Sequence, residues 1–288
     1  MVYALREIKE KTENFFLTKG IPSPKLDTDL LLAHVLRINR LDLYLDLDRP
    51  LTKAQLDELR EYVKRRGQRE PIQYILGASS FYNCNLIIDN RALIPRQETE
   101  YLIEILLPHL AKAKKILELG TGSGALALAL IKALDQLKID AHVTAIDKDE
   151  KCLALSKLNQ EKLKLKEKVD FIMSDWFSAI SKENQYDLIV SNPPYLSQEL
   201  YEIAEPEVKD YEPKQALVAL DRGMADLKVI IKEGYYFLNL NGLLVLETGA
   251  EQHLELIKFA KDVGFKRVDS VQDLNKYDRF LFLYRECM

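Results

Sequence analysis

Cysteine is scarce in this chain. The 288 residues hold three, Cys84, Cys152 and Cys287, far apart and without a Cys-x-x-Cys pair. That excludes a disulfide framework and a cysteine zinc site, and it suits a reducing compartment. Long apolar runs are missing too. The best candidates, such as Leu240–Leu246, are short and broken by Asn241 and Gly242, against the ~18 residues a membrane helix needs. The first ten residues, Met-Val-Tyr-Ala-Leu-Arg-Glu-Ile-Lys-Glu, mix acids with bases and lack an apolar core, so they read as neither signal nor transit peptide. The expected location is the cytoplasm, with no membrane partner. No charge dominates: 41 basic and 45 acidic residues leave a net charge of −4. A chain built to grip a phosphate backbone is usually far more basic, so no direct nucleic-acid partner is expected. Four histidines, His34, His109, His142 and His253, are scattered without ligand spacing, and no metal is expected. No Gly-x-Ser-x-Gly elbow, internal repeat or low-complexity segment occurs.

What the chain does have is a core. It is 47% apolar, with 14 tyrosines and 10 phenylalanines, which excludes disorder as its main character. Residues 1–70 read as helices: Leu5, Ile8, Thr12, Phe15 and Phe16 recur at helical spacing, and Asp27–Leu36 forms a short apolar helix. A third helix runs over Thr52–Arg69, with Thr52 and Gln55 spaced as a capping box. Its basic end, Lys64 to Arg69, reads as a solvated helix terminus; a partner-binding patch is the alternative. Residues 71–90 form a linker, with Tyr74–Gly77 and Phe81–Ile88 suited to extended chain and a hairpin. From residue 91 to 288 strand and helix alternate. Strands are expected at Lys115–Leu119, His142–Ile146, Val169–Met173, Leu188–Ser191, Leu243–Glu247, Phe265–Ser270 and Phe280–Tyr284. The fold class is α/β: a Rossmann-like, mostly parallel seven-stranded sheet with a C-terminal antiparallel hairpin, preceded by a small all-α domain.

The first of these strands, Lys-Ile-Leu-Glu-Leu, runs into Gly120-Thr121-Gly122-Ser123-Gly124 and then into an apolar helix. Glycines allow positive φ and close ligand approach, and the helix start leaves free N–H donors. In an open α/β sheet a ligand is expected at the carboxyl ends of the strands. The spacing fits neither the dinucleotide Gly-x-Gly-x-x-Gly fingerprint nor a phosphate-binding P-loop. Glu118 stands just before the loop and favours a cationic ligand over a pyrophosphate; S-adenosylmethionine, with its ammonium and sulfonium, fits. Asp147 ends the second strand, where an acid accepts from ribose hydroxyls; capping the next helix is its other reading. Trp176, the only tryptophan, could stack on an adenine or pack on a helix, and Asp175 could accept from the adenine amino group.

The sharpest motif is Asn192-Pro193-Pro194-Tyr195, closing the fourth strand. It suits methylation of a planar nitrogen, whose lone pair is delocalised. The Asn192 side-chain oxygen can accept one N–H and the Pro193 carbonyl the other. Pro194 fixes the backbone and offers no competing donor. The Tyr195 ring can stack on a flat amide or base. Two acceptors favour the positive charge that grows on nitrogen as the C–N bond forms.

With these motifs the chain resembles class I S-adenosylmethionine-dependent methyltransferases. More narrowly, it resembles the bacterial peptide chain release factor N5-glutamine methyltransferases (the HemK/PrmC family). The resemblance spans nearly the whole chain: Glu70-Pro-Ile-Gln-Tyr-Ile-Leu-Gly77, Leu93-Ile-Pro-Arg-Gln-Glu-Thr-Glu100, the glycine loop, Asn192–Tyr195, Tyr211-Glu-Pro-Lys-Gln-Ala-Leu217, Leu246-Glu-Thr-Gly249 and Asp278-Arg-Phe280. It implies that Gly120, Thr121, Gly122, Ser123, Gly124, Asp147, Trp176 and Asn192 hold the cofactor. It implies that Asn192, Pro193, Pro194 and Tyr195 hold and act on the substrate glutamine. That glutamine is the one in the Gly-Gly-Gln loop of class I release factors, with the 1–70 domain helping to dock this partner. Separately, a monomer is expected. The chain departs from the family's Asp-Gly-Gly-x-Asp-Gly-Leu at Asp221-Arg-Gly-Met-Ala-Asp-Leu227. That segment is expected to lead away from Asn192–Tyr195 as a loop variation.

Arg96 could orient a cofactor carboxylate or Glu98, or form a structural ion pair. The run Glu205, Glu207, Asp210, Glu212 reads as a solvated loop, or as a face for basic residues of a release factor. Alternative functions are glutamine methylation of a ribosomal protein and amino-methylation of adenine or cytosine in nucleic acid. The latter needs base flipping, and the charge balance speaks against it. A silent module keeping the fold would have no physical need for these motifs together.

Overall fold

A computed structural model describes residues 4–286; the first three residues, Cys287 and Met288, and the readings that fall on them, lie outside the described residues. The chain divides into two compact units: residues up to Gly77 together with Glu205–Tyr211, and Ala78–Ala204 together with the chain from Glu212 onward.

The first unit is helical, with α1 (Leu5–Thr18), α2 (Pro24–Leu36), a 3-10 turn at Arg40–Leu45, α3 (Lys53–Gly67) and α4 (Ile72–Leu76). Leu5 and Phe16 of α1 meet Leu31 and Leu32 of α2, Leu43 and Leu59 in one apolar core. Pro24 opens α2, where its missing N–H costs nothing. Thr52 and Gln55 close the capping box at α3: Gln55 N–H donates to Thr52 Oγ1 at 3.3 Å, and Thr52 N–H to Gln55 Oε1 at 2.9 Å.

Two expectations fail in this unit. Tyr74–Gly77 is not extended: Ile72–Leu76 is one helical turn that buries Tyr74 and Ile75 and ends at Gly77, φ 66°. The basic end of α3 and the acidic run are solvated only in part: Lys64, Glu205 and Asp210 are exposed, but Arg66 and Glu207 are not. Arg66 is buried, donating to Asp27 Oδ2 at 2.7 Å and to Glu207 Oε1 at 2.9 Å. Arg69 binds Glu205 and Glu207. Arg60 and Arg65 pair with nearby Asp57 and Glu70, while Arg66 and Arg69 pair with acids far along the chain, which has no local signature. Fixed, partly buried pairs of this kind depend on one another, because removing one partner strands a buried charge.

The second unit opens with the hairpin β1 (Ala78–Phe81) and β2 (Cys84–Ile87), followed by α5 (Gln97–Leu110). Then come β3 (Lys115–Leu119), α6 (Ala125–Gln136), β4 (His142–Asp147), α7 (Glu150–Leu163), β5 (Val169–Met173) and β6 (Tyr186–Ser191). After the short helices α8 (Gln198–Glu202), α9 (Pro206–Tyr211, in the first unit) and α10 (Leu220–Gly223) stand α11 (Ala225–Phe237), β7 (Leu238–Glu247), α12 (His253–Val263), β8 (Arg267–Gln272) and β9 (Asp278–Tyr284). The seven-stranded sheet has the order β5-β4-β3-β6-β7-β9-β8. Its first five strands pair in parallel, and β9 runs antiparallel between β7 and β8. Helices cover the inner strands on both faces, so those strands read as unbroken apolar runs. α6, Ala-Leu-Ala-Leu-Ala-Leu-Ile, is buried nearly all round.

This order sets the site. The chain lays β4 and β5 to one side of β3, then crosses to β6 on the other. The carboxyl ends of β3 and β6 therefore flank the switch point where open α/β sheets bind ligands. The glycine loop follows one strand and Asn192–Tyr195 the other.

The 221–227 departure does not lead away from that edge. A Cβ on Gly223 would lie 2.0 Å from the Tyr195 carbonyl oxygen, so this turn packs directly on the Asn192–Tyr195 segment. Asp221 and Arg222 precede it in the left-handed region, φ 52° and 55°. An L-residue there carries ~1–2 kcal/mol of strain, while the Arg222–Glu255 contact of 3.3 Å is exposed and offsets little of it. Arg222→Gly is accordingly expected to stabilise the protein by ~0.5–1 kcal/mol, read as a rise in Tm. An unchanged or lower Tm contradicts this.

Candidate active site

The glycine loop is held by the end of β4. Gly120 and Thr121 N–H both donate to the Ile146 carbonyl, at 2.9 and 2.8 Å, and Gly122 N–H donates to Asp147 Oδ2 at 2.8 Å. Gly120, Gly122 and Gly124 take φ of 74°, 55° and 80°, which only glycine adopts without strain. Glu118 lies beneath. Its Oε2 accepts from Thr121 Oγ1 at 2.6 Å and from Ala127 N–H at 3.1 Å, so it satisfies a donor in the first turn of α6. Burial pushes this carboxyl up to about 7; Thr121 and Ala127 pull it down, and the Asp147 charge adds to the rise.

Asp147 is not the cap of α7. Asp149 is, accepting from Lys151 N–H at 2.8 Å, while Asp147 Oδ1 takes Asp149 N–H at 2.9 Å. Asp147 is thereby fixed at the strand end by two backbone donors. Burial still holds its carboxyl above the ordinary range.

These groups line a cavity of about 980 Å³, counting its open mouth, in the second unit. Gly120, Thr121, Gly122, Ser123, Asp147 and Trp176 reach it, as do Asn192 and Pro194. Gly124, Pro193 and Tyr195 are not among its lining residues. Gly124 caps α6 instead, where an added Cβ would sit 3.0 Å from Ser156 Cβ. Trp176 is half-buried and does both things read for it: it packs on the apolar core and presents ring surface to the cavity. Its Nε1–H donates to Asp226 Oδ1 at 3.2 Å. Asp175 is exposed and also lines the cavity. Arg96 lines it too, but pairs with Glu212, whose other oxygen accepts from Ile94 N–H at 3.0 Å. Glu212, read as part of a solvated loop, is buried.

At Asn192 the structure adds residues that the sequence reading did not single out. Asn192 Nδ2 donates to Thr99 Oγ1 at 2.9 Å, and Thr99 Oγ1 donates to Glu247 Oε2 at 2.7 Å. Tyr195 Oη donates to Glu247 Oε1 at 3.2 Å. The Tyr195 carbonyl accepts from Gln252 Nε2 at 2.9 Å. Thr99 and Glu247 sit inside the segments Leu93–Glu100 and Leu246–Gly249 that carried the family resemblance. That coincidence was the available signal.

Residues 7–77 match the family described as PrmC N-terminal domain, and residues 96–209 the methyltransferase small domain. The release factor glutamine methyltransferase of Shewanella oneidensis is 39% identical over 265 residues, covering 91% of this chain and 90% of that protein. The protein of the same name from Chlorobaculum tepidum is 36% identical over 290 residues, 97% of each. The chain belongs to the release factor glutamine methyltransferase family. Solved structures agree on the fold. A methyltransferase from Pyrococcus furiosus superposes with a TM-score of 0.53 at 19% identity, covering 78% of this chain and 99% of its own. The 16S rRNA N2 G1207 methyltransferase of T. Thermophilus, in complex with AdoMet and guanosine, gives 0.52 at 19%, covering 73% and 50%. This release factor glutamine methyltransferase family member carries a match to each of the two domain models, one after the other along the chain. Among the described residues no helix is long and apolar enough to cross a membrane.

Proposed function

We propose that this protein transfers a methyl group from S-adenosylmethionine to the side-chain amide nitrogen, N5, of a glutamine in a class I peptide chain release factor. The observation that carries the reading is the meeting of Asn192 with the glycine loop in one cavity at the switch point of the sheet. Family membership supplies the acceptor class, and the resemblance narrows it to the glutamine of the Gly-Gly-Gln loop. The reading includes cytoplasmic location, a monomer, and a role for the 1–70 domain in docking the release factor.

The residues present fit the cofactor. When bound, S-adenosylmethionine supplies an electrophilic methyl carbon on a cationic sulfur. Glu118 and Asp147 are the carboxylates suited to a cation and to a ribose diol, and Trp176 and Ile146 give apolar walls for a purine. The Asn192 amide oxygen and the Pro193 carbonyl accept the two N–H bonds of the glutamine amide. Held so, the nitrogen lone pair is directed at the methyl donor, and alignment of this kind is worth up to ~7–11 kcal/mol. No base is needed before attack, since the proton can leave afterwards.

Glu118 gives the reading a pH signature. Its carboxyl titrates near 7. Only the ionised form attracts a cation, so donor affinity is full above that value and lost as pH falls through it. The dissociation constant is expected to rise roughly tenfold from pH 8 to pH 6, and the rise is expected to vanish in Glu118→Gln. Calorimetry at the two pH values checks this; an equal slope in the variant contradicts it.

The reading itself is tested by offering labelled S-adenosylmethionine with purified release factor, its Gly-Gly-Gln Gln→Ala variant, ribosomes and DNA, each separately. Label in wild-type release factor and not in the variant is expected. Label only in ribosomes or DNA overturns the acceptor.

A further inference from the structure

The glutamine amide presents two N–H groups, so Asn192 serves it only with its oxygen forward. An asparagine side chain is nearly symmetric in shape, and nothing in its own volume selects that orientation. The selection comes from behind. Thr99, buried in the first turn of α5, has one hydroxyl proton. Glu247, the last residue of β7, is buried, and its carboxylate only accepts. The Thr99 proton is therefore committed to Glu247 Oε2, and the hydroxyl can only accept from Asn192. Asn192 must then turn its NH₂ toward Thr99 and its oxygen the other way. The second oxygen of Glu247 takes the Tyr195 hydroxyl, so one carboxylate anchors both ends of the Asn192–Tyr195 motif. Register brings these groups together: Ser191 pairs with Leu246 across β6 and β7, so Asn192 and Glu247 follow side by side.

We propose that Thr99 and Glu247 are positioning residues for methyl transfer, and that the hydrogen-bond chain Tyr195–Glu247–Thr99–Asn192 sets the Asn192 amide with its oxygen toward the acceptor. The proposal rests on the reading of Asn192 as the acceptor's hydrogen-bond partner. Thr99 and Glu247 act through Asn192 and Tyr195 rather than on the reacting atoms. The groups facing Glu247 are Thr99 and Glu98 on α5, Tyr195, and Arg279 on β9. Burial pushes Glu247 up to about 7, with Thr99, Arg279 and Tyr195 pulling it down and Glu98 adding to the rise. Assays at pH 8 therefore meet the carboxylate ionised.

The test compares Thr99→Val, which keeps the shape and removes the hydroxyl, with Thr99→Ser, which keeps the hydroxyl. Both are measured beside the wild type for kcat, KM for release factor, S-adenosylmethionine affinity and Tm. Thr99→Val is expected to lose at least tenfold in kcat, with donor affinity within threefold. Thr99→Ser is expected to stay within threefold of wild type in both. Thr99→Ala carries the same expectation as Thr99→Val should the valine variant fail to fold. Wild-type kcat in Thr99→Val overturns the proposal. Equal loss in the valine and serine variants, or a loss of donor affinity matching the loss of kcat, overturns it as well. A wild-type enzyme that leaves release factor unmethylated is a distinct result, striking the functional reading and not the hydrogen-bond chain.

Discussion

Asn192→Ala is expected to lower kcat at least ~100-fold while leaving S-adenosylmethionine affinity within roughly tenfold. The asymmetry follows from when each interaction forms. In the proposed reading the Asn192 oxygen accepts from an amide that is nearly neutral at the start and becomes positive as the new C–N bond grows. Its hydrogen bond therefore strengthens toward the transition state, and removing one such partner costs ~3–4 kcal/mol. In the same reading donor binding draws on other groups besides, among them the glycine loop and Asp147, which line the same cavity. The alanine also leaves the Thr99 hydroxyl without the donor it accepts from at 2.9 Å. A small fall in Tm should accompany the kinetic loss. Steady-state kinetics with release factor, and calorimetry with the donor, separate the two quantities. Wild-type turnover in the variant would remove Asn192 from the reaction.

Gly223→Ala is expected to damage both stability and turnover, although residue 223 is not among the cavity's lining residues. The added Cβ would lie 2.0 Å from the Tyr195 carbonyl oxygen, 2.7 Å from its carbon and 2.8 Å from Gln252 Nε2. Two of these are backbone atoms of the Asn192–Tyr195 motif, which cannot swing aside like a side chain. The φ of +86° adds left-handed strain. Strain of ~1–2 kcal/mol and overpacking of ~1–3 kcal/mol together predict a Tm lower by roughly 5–15 °C. Relief that moves Tyr195 carries Asn192 with it, and in the proposed reading a shift of ~1 Å there costs on the order of 100-fold. Kinetics well below the lowered Tm distinguish displacement from unfolding. Full kcat there would show that the turn and the motif are mechanically independent.

The contrast between Arg222 and Gly223 shows what the sequence could and could not convey. Both stand in a segment that departs from the family pattern, and the one retained glycine is the position where a Cβ would strike backbone. Seen as text, the segment looked like a loop variation; in space it buttresses the motif. The strands were readable because both faces of β3, β6 and β7 are buried, leaving continuous apolar runs. The glycine loop and Asn192–Tyr195 were readable because each is contiguous. Asp147 was placed correctly at a strand end, but its distinction from the cap Asp149 needed hydrogen bonds. Short helices such as Ile72–Leu76 and Gln198–Glu202 give too few turns for periodicity to register. The ion pairs were hidden for another reason. Arg66 and Glu207 are 141 residues apart, so each looked like a solvated charge beside its own neighbours. Thr99 and Glu247 were hidden likewise: 148 residues separate them, and neither is a residue type that announces a role in methyl transfer.

The measurement that tests the central claim most directly is tandem mass spectrometry of release factor after incubation with the enzyme and S-adenosylmethionine. The account predicts one added methyl group, on the side-chain nitrogen of the Gly-Gly-Gln glutamine, and none when Asn192 is alanine. A methyl group on any other residue, or on a main-chain or carboxylate atom, would contradict it.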